Sequence, residues 1–141
     1  RFQEPSTLFA YGKADLQDKF KIILDDFFPR YLSLISSDQY KDNIEEIRIE
    51  GHTDSNGSYE YNMELSQNRT RSVLSYCLLM VQANKREWTK SRITANGLSS
   101  SHLIFNNNGT ENPELSRRVE FRIRTNAEKQ LEKMADKRFR K

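Results

Sequence analysis

The chain has 141 residues and a formal net charge of +3; 35% of its residues are hydrophobic, 11% aromatic and 30% charged. That length suits one domain around one core, the aromatic content argues against a disordered chain, and no apolar run reaches the roughly 20 residues of a membrane span. One cysteine, Cys77, excludes an internal disulfide and a cysteine-rich zinc site. No signal peptide is visible, and the opening at Arg1 is read as the start of an excised piece. Charge is unevenly placed: residues 1–70 hold 8 Lys/Arg and 13 Asp/Glu, and residues 71–141 hold 15 and 7. A basic half fits a polyanion partner or a solvated face.

Residues 1–7 read as a linker remnant, and Leu8–Tyr11 as a short first strand. From Leu16 the apolar residues Phe20, Ile23, Leu24, Phe27, Phe28, Tyr31, Leu32 and Ile35 recur at helical spacing. Pro29 interrupts that stripe and predicts a kink or a break, with the retained phase favouring a kink. Ile44 to Gly51 alternates and predicts a strand. The polar loop from His52 turns at Asn56-Gly57. A second helix is expected from Tyr59 to Ala83, with Leu65, Val73, Tyr76, Cys77 and Met80 on its core side. Residues 84–91 are a connection, Arg92–Ala95 a strand, and 98–116 a long Ser/Asn-rich loop. Arg118–Arg124 alternates cleanly, with Val119, Phe121 and Ile123 on one face. Residues 126–141 predict a charged helical tail. The order βαβαββ implies an α/β (α+β) domain over 8–125.

The stretch from Gly51 to Arg71 carries the chemistry. Asp54 follows a strand and precedes a helix, where free backbone N–H groups suit carboxylates. Arg69 is spaced four from Leu65 and four from Val73, on or beside the core-facing stripe, where a guanidinium must find an anion or acceptors. One reading has Asp54 and Arg69 pair and lock the loop to the helix. The other makes them opposite walls of a slot for a zwitterion, with carboxylate on Arg69 and ammonium on Asp54.

Three linked motifs carry a resemblance: Gly51-His52-Thr53-Asp54 with Gly57-Ser58, then Asn62-Met63-Glu64-Leu65-Ser66-Gln67-Asn68-Arg69, then Ser116-Arg117-Arg118-Val119-Glu120. In type, order and spacing they resemble the OmpA-like peptidoglycan-binding domain, shared by outer-membrane OmpA-type porins, Pal lipoproteins and stator B subunits of flagellar-type motors. The resemblance implies a mixed sheet with helices packed on one side. It also implies non-catalytic, cofactor-free binding of diaminopimelate in peptidoglycan stems. By position, Asp54 and Arg69 would be the main ligand pair, Thr53, Asn62 and Leu65 would line the slot, and Arg117 would stand at its rim. The family's Gly-x-Gly-x-Ser-x-Pro is here Gly97-Leu98-Ser99-Ser100-Ser101-His102-Leu103, and Ser116 replaces the usual Asn. The string Gly57–Asn62 with Ser116–Arg118 looks more like stator-type members, MotB-like subunits and their Zorya relatives, than like porin tails. That implies a periplasmic domain of a membrane-anchored parent, a homodimer, and an ion-channel partner subunit.

Other chemistries find less support. His52, His102, Asp54 and Cys77 lack a recognisable metal-ligand spacing, and Cys77 falls on an apolar stripe. No G-x-S-x-G marks a serine nucleophile. Glu50 with Asp54 would need a cleft and a raised pKa to act as a glycosidase pair. Residues 117–141 hold 10 Lys/Arg against 4 Asp/Glu, so nucleic-acid or partner-protein binding through the last strand and tail is the alternative reading.

Overall fold

The computed structural model describes residues 1–3, 8–127 and 134–135. The elements are α1 Asp18–Ile35, β1 Ile44–His52, α2 Tyr59–Leu79, α3 Ala83–Lys90, β2 Ile93–Gly97, α4 Pro113–Ser116 and β3 Arg118–Thr125. The sheet order is β2-β1-β3, with β1 parallel to β2 and antiparallel to β3. The parallel pair needs a crossover, which α2 and α3 provide. Among the described residues no helix is long and apolar enough to cross a membrane.

Strand alternation divides the sheet into two unlike faces. Ile47 and Ile49 of β1, Ile93 of β2 and Val119 of β3 are buried with Phe20, Leu24, Phe28, Leu32 and Ile35 of α1 and with Val73 and Cys77 of α2. The helices therefore lie on one side, as the family resemblance implies. α1 runs unbroken through Pro29. Pro29 and Asp25 are both on the exposed side, where water can satisfy the carbonyl that the missing N–H leaves free.

Three local expectations change. Leu8–Tyr11 is not a strand: Phe9 makes a single bridge to Leu16, and Leu8 and Phe9 are buried as core side chains. Residues 84–91, expected as a connection, mostly belong to α3, which buries only Thr89 and so shows little apolar period. Phe2, expected in a linker, pairs with Val119 through N–H···O bonds of 2.7 and 2.9 Å. Its ring joins Phe20, Phe27 and Phe121 at centroid distances of 5.6, 5.1 and 5.8 Å. The expected tail helix over 126–141 falls mostly outside the described residues.

The seat of α2 fixes the geometry that matters for function. Gly51 and Gly97 are register partners at the ends of β1 and β2. A Cβ on Gly51 would stand 2.7 Å from Thr70 Cγ2 and 3.0 Å from the Ser66 carbonyl oxygen. A Cβ on Gly97 would collide with the backbone N of Gln67 and stand 2.7 Å from its Cα. The helix thus rests directly on the strand ends. The buried stripe there consists of Asn62, Ser66 and Thr70, small or polar, and becomes apolar only at Val73 and Cys77. Leu65, expected on the core side, is half-buried beside that stripe. The Gln67 amide donates to the Ala95 carbonyl at 3.1 Å and accepts from the Gly97 N–H at 2.7 Å.

Candidate functional site

β1 ends at His52 and delivers Thr53 and Asp54 into the loop before α2. Thr53 is buried and its N–H donates to the Ser99 carbonyl at 2.9 Å. Asp54 Oδ1 accepts from the Asn56 N–H at 2.9 Å, the local turn that Asp favours. The Ser58 hydroxyl caps α2 by accepting from the Tyr61 N–H at 3.1 Å. Asn62 is buried, and its amide donates to the Asn56 carbonyl at 2.9 Å, tying the loop to the first turn of the helix. Glu111 holds the loop from outside, accepting from the Ser55 N–H at 2.9 Å and the Ser55 hydroxyl at 2.5 Å.

Thr53, Asp54, Asn62, Leu65, Arg69 and Arg117 all line one groove of about 340 Å³. Phe9, Tyr11, Gly12, Asn56 and Tyr61 complete it. Sequence reasoning missed these five, although Asn56 and Tyr61 lie inside the motif that drew attention. Phe9 and Tyr11 lie in the run that reads as a strand, and their place here follows from how Arg69 holds the N-terminal segment.

The two charged walls are wired differently from the expected pair. Asp54 and Arg69 form no ion pair among the described residues. Asp54 Oδ2 accepts instead from Arg117 Nη1 at 2.5 Å, and the Asp54 side chain is 14% exposed. Arg69 Nε donates to the Lys13 carbonyl at 2.8 Å and Nη2 to the Ala10 carbonyl at 3.3 Å. Its guanidinium lies 4.8 Å from the centroid of Phe9. Burial pulls the Arg69 pKa below its ordinary value, Tyr61 and Asp54 push it up, and Arg117 pushes it down. Arginine nonetheless stays charged at neutral pH. Arg69 is therefore a half-buried cation that organises the 8–13 segment and carries no carboxylate partner among the described residues.

In the loop of 98–116, Ser99 stands where the family pattern has its second glycine. Ser99 is buried with φ 55, a conformation natural to glycine. Three hydrogen bonds hold it there. Its N–H donates to Ser66 Oγ at 3.1 Å, its hydroxyl to the Tyr59 carbonyl at 2.7 Å, and its carbonyl accepts from Thr53. Ser116, also buried, accepts from the Ile104 N–H at 2.9 Å through its hydroxyl.

The second face of the sheet is a ladder of charge. Two directly opposed pairs are alike, Arg48 facing Arg122 and Glu50 facing Glu120, so their ion pairs run along the strands to residues two away or, for Arg122 and Glu50, diagonally across. Arg48 and Arg122 reach Glu50 at 3.1 and 2.9 Å, and Arg118 and Arg122 reach Glu120 at 2.7 and 2.8 Å. Burial would raise the Glu120 pKa; hydrogen bonding and charge from Arg118, then from Arg122, outweigh it and hold the carboxyl at about 2. His52 is buried within this cage, and neither ring nitrogen has a hydrogen-bond partner among the described residues. Burial first, then Arg118, lowers its pKa to about 4 against the opposing pull of Glu120 and Glu50. Glu50, His52 and Glu120 bring potential ligand atoms within 4.8 Å of one another. All four carboxylate oxygens of that set already face guanidinium groups. Arg118, Arg122 and Arg124 of β3 are likewise paired within the chain, which weakens their case as phosphate contacts.

The chain is 46% identical over 143 residues to Zorya protein ZorB from Escherichia coli strain ATCC 8739, a match covering 95% of this chain and 60% of that protein. The chain therefore spans about three-fifths of that relative's length. Its fold is that of the periplasmic domain of Helicobacter pylori MotB, with a TM-score of 0.61, 19% identity, and coverage of 97% and 83% of the two chains. It is also that of the peptidoglycan-associated lipoprotein from Burkholderia pseudomallei, with a TM-score of 0.56, 22% identity, and coverage of 84% and 88%. The OmpA family model matches residues 8–117, which contain the groove, and the chain belongs to the OmpA family.

Proposed function

We propose that this domain anchors a membrane protein to the cell wall by binding, without cleaving, the diaminopimelate of peptidoglycan stems. The observation that carries the reading is the convergence of Asp54, Arg69, Arg117, Thr53, Asn62 and Leu65 on one groove. A guanidinium without a carboxylate partner on one wall suits a ligand carboxylate. A carboxylate that uses only one contact per oxygen on the other suits an ammonium. Leu65 and the aromatic rings supply apolar contact for the connecting methylenes. Neither catalysis nor a cofactor enters this reading.

Similarity to ZorB, together with the MotB fold, supports a stator-type parent. In that setting the domain lies in the periplasm, two copies act together, and an ion-channel subunit is the partner. One groove offers a few charge-assisted hydrogen bonds against the entropy cost of association, so single-site affinity is modest. A pair of domains on a polymeric wall gains by avidity.

The test is co-sedimentation with purified diaminopimelate-type sacculi. The wild-type chain pellets with them, and Asp54→Ala and Arg69→Ala remain in the supernatant while still folded by circular dichroism. A wild-type chain that stays in solution, or variants that pellet equally, defeats the assignment. Arg69→Ala removes two bonds to the 8–13 segment and Asp54→Ala removes those to Asn56 and Arg117, so each variant melts somewhat below wild type.

A further inference from the structure

We propose that Arg117 supplies a second carboxylate grip, so that the groove selects a diaminopimelate residue bearing two free carboxylates and one free ammonium over one bearing a single carboxylate. The inference rests on the peptidoglycan reading above and names the form of the ligand.

It starts from the state of Asp54. Its two oxygens each hold one donor, the Asn56 N–H on Oδ1 and Arg117 Nη1 on Oδ2. A carboxylate offers about four lone-pair sites, so an incoming ammonium shares Asp54 with Arg117 and does not displace it. The charged groups lining the groove are Asp54, Arg69 and Arg117, two cations and one anion. A zwitterion with one carboxylate and one ammonium is neutral and leaves the groove with its net positive charge uncompensated. A ligand with two carboxylates and one ammonium carries the complementary net charge.

Both arginines have donors to spare. Arg69 spends Nε and Nη2 on backbone carbonyls, and Arg117 spends Nη1 on Asp54. Each guanidinium offers five N–H donors. Among the described residues, Arg69 Nη1 and Arg117 Nε and Nη2 have no other hydrogen-bond acceptor. The Arg117 side chain is 34% exposed, and it reaches the groove from the junction between α4 and β3, whereas Arg69 reaches it from α2. Two carboxylates of one ligand can therefore be held from two elements.

The chemistry of the stem decides which residues qualify. Where the stem ends at diaminopimelate, the α-carboxyl is free beside the distal carboxyl and amine. Where the stem continues, that α-carboxyl is an amide. Where the stem is cross-linked through diaminopimelate, the distal amine is an amide. The groove then favours trimmed, uncross-linked stem ends.

The experiment is calorimetric titration of the full chain with two synthetic probes: the Ala-γ-Glu-diaminopimelate tripeptide and the same tripeptide with its α-carboxyl as carboxamide. The wild type binds the free acid about 10-fold tighter, the scale of one charge-assisted contact. Arg117→Gln brings the ratio to about 1, and Arg117→Lys keeps it above 1 because a cation remains. Equal wild-type affinity for the two probes overturns this inference alone, whether or not the variants fold. An Arg117→Gln chain that keeps the wild-type ratio overturns it as well. Binding of neither probe overturns it together with the anchoring reading.

Discussion

Replacing Gly97 by alanine tests how tightly the helix–sheet seat defines the groove. The added Cβ would stand 2.7 Å from Gln67 Cα and 2.8 Å from Ser66 Oγ, besides its collision with the Gln67 backbone N. Carbon contacts relax only at about 3.5–4.0 Å, so α2 and β2 must part by roughly 1 Å. Rotamer change offers little relief, because two of the three atoms met are helix backbone. Overpacking typically costs about 1–3 kcal/mol, and backbone on both sides puts this case at the upper end. The Gln67 amide also loses its paired contacts with Ala95 and Gly97, each contributing about 1 kcal/mol. A loss of about 5 kcal/mol lowers Tm by roughly 15 °C for a chain of this length. Thermal and urea unfolding measure it. Gly109→Ala is the control: φ is +88 there, but nothing lies within 4 Å of the new Cβ, so the cost is only the left-handed strain of about 1–2 kcal/mol. The groove suffers too, since Asn62, Leu65 and Arg69 ride on α2 while Asp54 and Arg117 do not. Sacculus binding therefore falls more than the melting curve alone predicts. A Gly97→Ala chain melting within about 2 °C of wild type would show that the close seat is not a constraint.

The remaining predictions concern a loop, a titration and a thiol. Ser99→Ala keeps the strained φ and loses the bond to Tyr59, whereas Ser99→Gly relieves the strain; urea midpoints place the glycine variant about 1 kcal/mol above the alanine variant. The folded pKa of His52, about 4, lies below its unfolded 6.5, so the unfolded chain takes up the proton first. Stability from this group is complete above pH 6.5 and is lost toward pH 4, about 3 kcal/mol in all, and His52→Leu flattens the urea midpoint across that window. Glu120 adds a second loss as pH falls from about 4.5 toward 2, because its folded pKa is the lower one. Cys77 is buried and its thiol pKa is pushed up by desolvation, so a thiol reagent at pH 8 modifies it only as fast as the chain unfolds. Rapid labelling of native protein would contradict its core position.

Much of the framework is legible because it depends on local patterns. Alternation along Ile44–Gly51 and Arg118–Arg124 locates β1 and β3, and the linked motifs identify which residues meet in the groove. Long-range electrostatics is not legible in this way. Arg117 lies 63 residues from Asp54, and nothing in the spacing gives it priority over Arg69 as the partner of that carboxylate. The core side of α2 misleads for a related reason. Apolar residues are taken to face inward, yet where the helix touches Gly51 and Gly97 only Ser66 and Thr70 fit, and Leu65 is turned toward the groove. The polar helix α3 hides because it buries a single threonine. Leu8 and Phe9 read as strand since burial alone, without pairing, leaves the same short apolar run.

Gln67 has a consequence for how copies of this domain meet. Its amide satisfies a carbonyl and an N–H on the outer edge of β2, the pairing that a neighbouring strand would otherwise make. A side chain thus takes up two edge groups of a three-stranded sheet that strand addition would use. Domains crowded along a polymer meet one another continually, and an open border would let them zip into fibres. If the domain binds the wall as proposed, copies bound side by side would not draw these two groups of β2 into an intermolecular sheet.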